Sequence, residues 1–375
     1  MPELLVIGGG AMGSAVAAKL ASQQGWRVRV LERDPSYARA SSALSAASIR
    51  QQFTSPLNIA LSQYGLQFLR SLGDEAQFVE GGYLYLAREP QQLRELHEVQ
   101  ARCGADIGLL EPAQLQTRWP WLATQDLALG AFGRSGEGWF DGWGLLMALR
   151  RQALAAGAEY LSGEALELLR DGKGCIGGVR TEAGVLQADL YLLACGAWSG
   201  KLAATAGLQV PVEARRRSVY VFRSPEWAPG SPLVIDPSGL WFRPEGEGQF
   251  ICGGEPLDDS PDLPLDPEAN LFEERLWPAL AERVPGFESL RLQRAWAGYY
   301  EMNTFDHNGL VGPMAACPNL FLACGFSGHG LQHAPGVGRG LAELIAAGHY
   351  QSLDLSPLSP DRIAANQPYR ELNVI

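Results

Sequence analysis

The chain has 375 residues and 46% hydrophobic content, which is ordinary for a globular protein and long enough for two domains. Its formal net charge of −11 argues against a nucleic-acid partner, and no apolar run reaches the ~18 residues of a transmembrane helix. The six cysteines form no CxxC pair and the first residues lead at once into an apolar strand, so we expect no zinc site, no other bound metal and no signal peptide.

The first predicted elements form a strand–helix–strand unit. Glu3–Gly8 is an apolar run typical of a buried strand, Ala11–Gln23 predicts a small-residue helix close to a sheet, and Arg27–Glu32 predicts the next strand. The turn between the first strand and the helix reads GGGAMG, and the second strand ends on an acidic residue. This order is typical of a unit that binds dinucleotides.

Three glycines and one carboxylate of this unit have separate predicted roles. Gly8 makes the turn, Gly10 lets the backbone approach a pyrophosphate, and Gly13 allows close packing of helix on strand. Glu32 lies roughly 20 residues further on, where a carboxylate accepts hydrogen bonds from ribose hydroxyls and repels a 2′-phosphate. The segment therefore predicts a dinucleotide cofactor and disfavours NADP.

The middle of the chain mixes loops, helices and strands before a strand-rich stretch. Cap residues, first-turn prolines and glycines after the last turn mark the helix ends. The predicted elements, in chain order, are the loop Ala38–Arg50, a helix from Ser55-Pro56 to about Leu72, strand Gly82–Ala87, helix Pro90–Arg102, helix Asp141–Ala156, strand Gln187–Ala194, and, within the strands and turns of Val210–Tyr300, a helix near Glu268–Arg283.

A second glycine-rich segment lies near the C-terminus. Leu320–Gly340 reads LFLACGFSGHGLQHAPGVGRG, an apolar strand followed by glycines and by a helix predicted over Gly336–Ala347. Backbone N–H groups and a helix N-terminus in such a turn favour an anionic or electron-rich ligand. Two such segments at opposite ends of the chain indicate one large cofactor bound at both its pyrophosphate and its ring, which fits FAD better than NAD.

The glycine-rich cofactor segments are separated by stretches of different character. They predict a discontinuous FAD-binding domain of residues 1–80, 142–208 and 312–375. Residues 81–141 and 209–311 then form an inserted substrate-binding domain. The expected fold class is α/β (α+β), because a dinucleotide-binding unit is combined with a strand-rich insertion.

Four segments carry a resemblance to a known family: VIGGGAMGS, VLERD, LLACGAWS and GFSGHGLQHAPGVG. The chain resembles the D-amino-acid-oxidase-like superfamily of FAD-dependent oxidoreductases, in its sarcosine oxidase, glycine oxidase and D-amino-acid dehydrogenase group. Ala38–Phe53 and Trp296–Pro313 look closest to the mitochondrial FAD-dependent oxidoreductase domain-containing protein and its bacterial relatives. The resemblance implies a glutathione-reductase-like FAD-binding Rossmann domain with an inserted mixed-sheet domain.

The second glycine-rich turn is expected to serve the flavin ring. Gly325–Gly330 would place N–H groups and a positive helix end near flavin N1 and the C2 carbonyl, where reduced flavin carries negative charge. His329 either faces the flavin edge or is satisfied within the turn. The predicted FAD-binding residues are Gly8, Gly10, Ala11, Met12, Gly13, Glu32, Arg33, Ser41, Ser42, Ser48, Ala194, Gly196, Trp198, Gly325, Ser327, Gly328, His329, Gly330, Leu331 and Gln332.

Two arginines are candidates for binding a substrate carboxylate. The resemblance implies this role for Arg50, because the sarcosine oxidase group uses an arginine in this loop and a guanidinium binds a carboxylate in a bidentate manner. The alternative is a surface or structural arginine. Arg217 matches an arginine that enters the pocket of D-amino-acid dehydrogenases, and its alternative is one member of a solvated basic run.

The chain departs from its relatives at three positions. Gln332 stands where the sarcosine oxidase group has a lysine. Tyr299 stands where sarcosine oxidase has the cysteine that bonds to the flavin, so we expect noncovalent FAD. Tyr300 follows in the region where D-amino-acid enzymes place an arginine; it can donate one hydrogen bond but forms no ion pair.

The resemblance implies oxidation of the C–N bond of a D-amino acid or an N-substituted amino acid, with hydride transfer to flavin N5 and hydrolysis of the imine. The carbon hydrogen leaves as hydride, so only the ammonium proton needs an acceptor, either solvent or a side chain such as Tyr300 or His333. The predicted catalytic residues are Arg50, Tyr300, His329, His333, Gln332 and Arg217.

Two function classes remain open at this point. The first is an amino-acid or amine dehydrogenase, favoured over an oxidase because none of the three lysines lies in Val210–Tyr300, the stretch expected to cover the flavin. The second is a flavin-bearing assembly or scaffold protein without amine turnover. We expect a small carboxylate-bearing amine as partner, a quinone or a carrier protein as electron acceptor, and a location in the cytoplasm or at the periphery of the inner membrane.

Overall fold

The computed structural model describes residues 1–226 and 228–373, which contain two large sheets, two small sheets and the helices around them. The strands are β1 (Glu3–Ile7), β2 (Arg27–Glu32), β3 (Ser48–Ile49), β4 (Tyr83–Ala87), β5 (Ile107–Leu110), β6 (Leu129–Gly133), β7 (Gly138–Trp139), β8 (Glu159–Ser162), β9 (Glu167–Arg170), β10 (Ile176–Thr181), β11 (Gly184–Leu186), β12 (Leu190–Leu193), β13 (Val212–Arg223), β14 (Leu233–Ile235), β15 (Trp241–Pro244), β16 (Gln249–Gly253), β17 (Arg291–Asn303), β18 (Leu310–Met314) and β19 (Cys317–Cys324). The α-helices are α1 (Ala11–Ala21), α2 (Ser41–Leu44), α3 (Pro56–Ser71), α4 (Gln91–Arg102), α5 (Pro112–Arg118), α6 (Gly142–Ala155), α7 (Ser199–Thr205), α8 (Trp277–Arg283), α9 (Gly330–Ala347) and α10 (Asp361–Ala364).

The first large sheet has the strand order β18-β19-β12-β1-β2-β8. Its pairs are parallel except β18 with β19. Side chains of β1 alternate between two faces: Leu4 and Val6 join one apolar cluster with α1 and α9, and Leu5 and Ile7 join the cluster on the opposite face. Both faces of the sheet are therefore covered, which explains why its strands are continuous apolar runs.

The second large sheet has the order β17-β13-β16-β15-β14-β4-β6-β5 and is largely antiparallel. The long strands β13 and β17 pair along nearly their whole length, with Arg217 opposite Gly298. On one face, Phe222, Phe250 and Phe287 pack with ring centroids 4.8–5.4 Å apart. This aromatic core holds the inserted strands as one unit.

The strands of the two large sheets come from different parts of the chain. The first sheet takes its strands from residues 3–32, 159–193 and 310–324, and the second takes them from residues 83–133 and 212–303. This distribution is compatible with the predicted two-domain division, which stays a prediction. Among the described residues, no helix combines the length and apolar character needed to cross a membrane.

Several predicted elements have different bounds in the structure. The helix α9 begins at Gly330, six residues before the predicted start, and continues through Pro335. A proline inside a helix removes one hydrogen bond, and burial of this segment against α1 and α3 offsets that loss. The predicted loop Ala38–Arg50 contains α2 and β3, and the helix near Glu268–Arg283 begins only at Phe272, with a π-helical turn before α8.

Candidate active site

Residues from both large sheets line one cavity of about 490 Å³. Most of the predicted site residues are on its wall. They are Gly8, Gly10, Ala11, Met12, Glu32, Arg33, Ser41, Ser42, Ser48, Arg50, Ala194, Gly196, Trp198, Arg217, Tyr300, Gly328, Gly330, Leu331 and Gln332. The others, Gly13, Gly325, Ser327, His329 and His333, lie behind the wall.

The first glycine-rich turn leaves open backbone beside the cavity. Gly8 has φ +103°, and a Cβ on it would lie 2.4 Å from the Ala194 carbonyl oxygen. A Cβ on Gly13 would lie 2.0 Å from the Gly8 oxygen, so this glycine allows the helix to pack on the strand. A Cβ on Gly10 would meet only the Ser42 hydroxyl, at 3.4 Å. The chain itself therefore requires glycine at Gly8 and Gly13, while at Gly10 it leaves space for a ligand.

The N-terminus of α1 has donors to offer in that space. Ala11 N–H donates to the Ser42 hydroxyl at 3.4 Å, and the N–H groups of Met12 and Gly13 have no acceptor among the described residues. Glu32 at the end of β2 accepts from the N–H groups of Gly9 at 2.8 Å and Asp34 at 2.9 Å. Free amides at a helix start suit a pyrophosphate, and the fixed carboxylate suits a ribose.

The second glycine-rich turn begins α9 on the opposite side of the cavity. Gly325 and Gly328 have φ of +78° and +100°, and a Cβ on Gly328 would lie 2.5 Å from the Tyr300 ring. Gly330, which begins α9, lies on the wall together with Gly328. The two helix starts, α1 and α9, therefore face the same cavity.

Arg50 is buried beside this second turn. Its Cζ lies 4.5 Å from the centroid of the Phe53 ring, its Nη2 donates to the Asn373 carbonyl, and its Nε is buried without a partner among the described residues. Its backbone N–H donates at 2.9 Å to Gln332 Oε1, which also accepts from the Ser62 hydroxyl at 2.8 Å. No described residue accepts from the Gln332 Nε2, and Gln332 lines the cavity, so this donor is available to a ligand there.

Arg217 and Tyr300 lie together on the wall formed by β13 and β17. The Arg217 Cζ is 5.2 Å from the Tyr300 ring centroid, and Arg217 Nη1 is 2.5 Å from the Asp259 carboxylate. Burial raises the pKa of the Tyr300 hydroxyl, although the positive charge of Arg217 opposes this. Tyr300 therefore stays protonated at neutral pH and is able to donate a hydrogen bond.

The two histidines occupy a buried layer rather than the wall. His329 Nε2 is 3.3 Å from Asn308 Oδ1, and His333 Nε2 is 3.3 Å from the Ser62 hydroxyl. Both rings pack on Phe53, with centroids 5.5 and 5.2 Å away. Burial lowers the pKa of His333 to about 3 and that of His329 well below its usual range. His329 Nδ1 is buried without a partner among the described residues, so neither alternative for His329 is decided and its place at the flavin stays a prediction. His333 is fully buried and has no direct access to a substrate amine.

Four further residues on the wall were not among the predicted site residues. Tyr83 lies 3.1 Å from the Ser48 hydroxyl, and Trp241 closes the wall from β15. The sequence YLYLA of β4 could have identified Tyr83, because alternation along a strand places its two tyrosines on one face of the sheet. Lys201 lies beside Trp198, with its ammonium 2.7 Å from Asp262. The fourth, Glu301, is a buried acid.

Glu301 holds the second turn by its carboxylate. Its Oε2 accepts from Gly325 N–H at 3.0 Å, and burial raises the pKa of the carboxyl from 4.5 to about 7 despite backbone donors at Gly325 and Phe326. Burial likewise raises the pKa of Glu137 to about 7. Both groups bind a proton more readily in the folded than in the unfolded chain.

These two carboxyls predict a pH-dependent free energy of unfolding. The buried His329 and His333, whose pKa values are lowered, contribute a slope of the opposite sign below pH 6.5. At the two carboxyls the unfolded chain ionises first, so their contribution to stability is complete below pH 4.5 and is lost as pH rises to about 7, by on the order of 3 kcal/mol per carboxyl. Glu301→Gln should remove about half of this slope and leave the part due to Glu137. Chemical denaturation at pH 5, 6, 7 and 8 measures it, and an unchanged slope in the variant would show that Glu301 titrates normally.

The geometry of the sheet and the cavity defines the class of protein. A largely parallel sheet with a glycine-rich turn and a fixed acid, joined by a second helix start across the same cavity, is the architecture of a flavin-dinucleotide-binding protein. Residues 3–344 match the family model of the FAD-dependent oxidoreductases called DAO, and the chain belongs to this family. The cofactor is accordingly FAD, and the predictions of fold class, family and cofactor are confirmed.

Individual relatives cover nearly the whole chain. The chain is 40% identical over 423 residues to FAD-dependent oxidoreductase domain-containing protein 1 of Xenopus laevis. This alignment covers 100% of the chain and 85% of the relative. The chain is 25% identical over 396 residues to monomeric sarcosine oxidase of Bacillus sp. (strain B-0618), and this alignment covers 99% of both chains. The crystal structure of L-proline dehydrogenase from P. horikoshii superimposes with a TM-score of 0.87 at 26% identity, over 98% of this chain and 99% of that one.

Proposed function

We propose that the protein oxidises the C–N bond of a D-amino acid or an N-substituted amino acid to an imine, which water then hydrolyses. Bound FAD would supply the chemistry by accepting the hydride at flavin N5. The observation that carries the proposal is Arg50, a buried guanidinium on the cavity wall that has no ion pair among the described residues. Burial disfavours this charge, and the nearby Glu371 carboxylate offsets part of the cost without being in ion-pair contact, so a ligand carboxylate would stabilise the guanidinium further.

The residues of the chain have complementary proposed roles. Arg50 binds the substrate carboxylate, and the Gln332 Nε2 donates a second hydrogen bond to it. Tyr300 faces the same space and, because it stays protonated, donates a hydrogen bond there, while the ammonium proton passes to water. His333 is excluded from direct contact by its burial, so the rate should rise with pH through one apparent pKa that belongs to the substrate amine.

The names of two relatives support the substrate class. Sarcosine and proline are both amino acids whose nitrogen carries a second carbon, and the enzymes named for them resemble this chain over nearly its whole length. This favours an N-substituted amino acid over a simple primary amine. The vertebrate relative is named for its cofactor and carries no substrate in its name.

Anaerobic bleaching of the flavin tests the proposal. The yellow protein is mixed without oxygen with pools of D-amino acids, L-amino acids and N-alkyl amino acids, and the absorbance near the flavin maximum is followed. Bleaching by a defined compound supports the enzyme. If dithionite bleaches the flavin and no amine does, the proposal fails and the alternative of a flavin-bearing assembly protein is favoured.

We further propose a dehydrogenase rather than a fast oxidase. A fixed cation over the ring stabilises the anion formed when oxygen takes its first electron. None of the three lysines lies in Val210–Tyr300, and Lys201 on the cavity wall has its ammonium engaged by Asp262. Of the two guanidiniums on the wall, Arg217 is paired with Asp259 and Arg50 is assigned to the substrate carboxylate, so neither is proposed to serve the oxygen reaction. The lysine position of the sarcosine oxidase group is Gln332.

This assignment predicts slow reaction with oxygen. After reduction, stopped-flow mixing should show much faster reoxidation by a soluble quinone or dye than by air-saturated buffer. Gln332→Lys should raise the oxygen rate, because it places an ammonium near the cavity. A wild-type protein that reoxidises faster with oxygen than with either acceptor would reverse the assignment.

A further inference from the structure

A second guanidinium lines the same cavity and has donors left over. Arg217 uses only Nη1, which donates to the Asp259 carboxylate at 2.5 Å and to the Arg216 carbonyl at 2.8 Å. No described residue accepts from its Nε or Nη2. The side chain is only 19% exposed, whereas its partner Asp259 is 47% exposed and lies off the cavity wall.

Arg217 and Arg50 both line the end of the cavity that contains Tyr300. Tyr300 is the common neighbour: the guanidinium of Arg217 lies over its ring, and the charges of both arginines act on its hydroxyl. Tyr83 is a further neighbour of Arg50 on the cavity wall, and the Arg50 Cζ lies 6.0 Å from the centroid of its ring. Two cations therefore converge on one partly enclosed space from different segments of the chain.

One amino-acid carboxylate needs only one of these guanidiniums. A second cation held near the first is repelled by it, and a second negative charge on the bound ligand reduces this cost. Asp259 offsets the charge of Arg217 from the outer side, through a single nitrogen, and leaves Nε and Nη2 free. That free edge is the geometry a guanidinium uses for bidentate binding of a carboxylate.

We infer that the substrate carries a second acidic group and that Arg217 binds it. The substrate class is therefore a dicarboxylic amino acid or an N-carboxyalkyl amino acid, with its α-carboxylate on Arg50 and its distal carboxylate on Arg217. This inference rests on the proposed function and narrows it. Asp259 acts as a positioning residue, because it fixes the direction of the Arg217 side chain from outside the cavity.

Binding of inert acids to the yellow protein tests the inference without turnover. Dicarboxylates from malonate to adipate are each compared with the monocarboxylate of the same carbon number, and dissociation constants are measured by calorimetry and by perturbation of the flavin spectrum. The best dicarboxylate should bind at least about 10-fold more tightly than its partner, as expected for a charge-assisted hydrogen bond. If no dicarboxylate binds more tightly, the inference is overturned.

Variants identify the residue responsible. Arg217→Gln should abolish the preference for the dicarboxylate and leave monocarboxylate binding within about twofold. The matched control is Arg215→Gln, on the same strand and also paired with Asp259 but not on the cavity wall; it should keep the preference. A preference that survives Arg217→Gln overturns the assignment. Retained yellow colour and an unchanged thermal transition show that each variant is folded.

The results separate this inference from the proposed function. If monocarboxylates bind through Arg50 and amines bleach the flavin, but the second acid adds nothing, the substrate is a simple amino acid and only the inference fails. If neither class of acid binds and no amine bleaches the flavin, the proposed function fails and the inference fails with it.

Discussion

Gly10→Leu should give a folded protein that is colourless after purification. The backbone at Gly10 has φ −63° and ψ −173°, a conformation open to any residue, and a Cβ there would meet only the Ser42 hydroxyl at 3.4 Å. The folded chain therefore tolerates a side chain, but that side chain occupies the space in front of the free amides of α1. A pyrophosphate would be excluded from those amides, so FAD affinity should fall below the level that survives purification.

The absorbance ratio of flavin to protein measures this effect, and circular dichroism reports the fold. Gly172→Leu is the matched control, because a Cβ on Gly172 meets nothing within 4 Å and the residue is exposed; it should stay yellow. Gly13→Leu should instead reduce soluble yield, since its Cβ would lie 2.0 Å from the Gly8 oxygen. A yellow Gly10→Leu protein would contradict the predicted pyrophosphate position.

The same preparation tests how FAD is attached. By its resemblance to sarcosine oxidase, the chain has Tyr299 at the position of the flavin-linked cysteine, and the Tyr299 hydroxyl donates to the Leu263 carbonyl. Acid precipitation of the wild-type protein should therefore leave the yellow colour in the supernatant. Colour that stays in the pellet would show a covalent bond elsewhere in the chain.

Local patterns predicted the cofactor elements well because each depends on neighbours in sequence. The strand at Arg27–Glu32 has the predicted bounds, and the helix after Ser55 begins at Pro56 with the serine side chain accepting from Asn58 N–H. Such signals are complete within a few residues. The start of α9 was missed because the proline rule is local, while the burial that offsets the proline is tertiary.

The substrate end of the cavity depends on contacts that no local pattern contains. Arg50, Arg217 and Gln332 come from three distant segments, and only the folded chain shows that two guanidiniums share one space. The burial of His329 and His333 likewise results from packing on Phe53, which lies far away in sequence. The spacing of glycines indicates the cofactor from sequence alone, whereas the substrate depends on which side chains the tertiary fold brings together beside that cofactor.

Arg50→Ala should raise KM for the substrate by about 10- to 150-fold with little change in kcat, because a lost charge-assisted hydrogen bond costs about 1.5–3 kcal/mol. A carboxylate remote from the reacting C–H bond is bound equally in the ground and transition states, so its loss appears in KM. Arg50→Lys should recover only part of the affinity, since an ammonium keeps the charge and loses the planar fork. Steady-state kinetics with the substrate found by anaerobic bleaching measures both parameters.

The matched control for this change is Arg118→Ala. The Arg118 Cζ lies 4.5 Å from the Phe132 ring centroid, the same separation as Arg50 from Phe53, but Arg118 does not line the cavity. Both variants lose a cation–π contact, and only one should lose substrate affinity. An Arg50→Ala protein with unchanged KM would assign Arg50 to the structural contact with Asn373, and the search for the carboxylate-binding residue would then move to Arg217, whose Nε and Nη2 have no acceptor among residues 1–226 and 228–373.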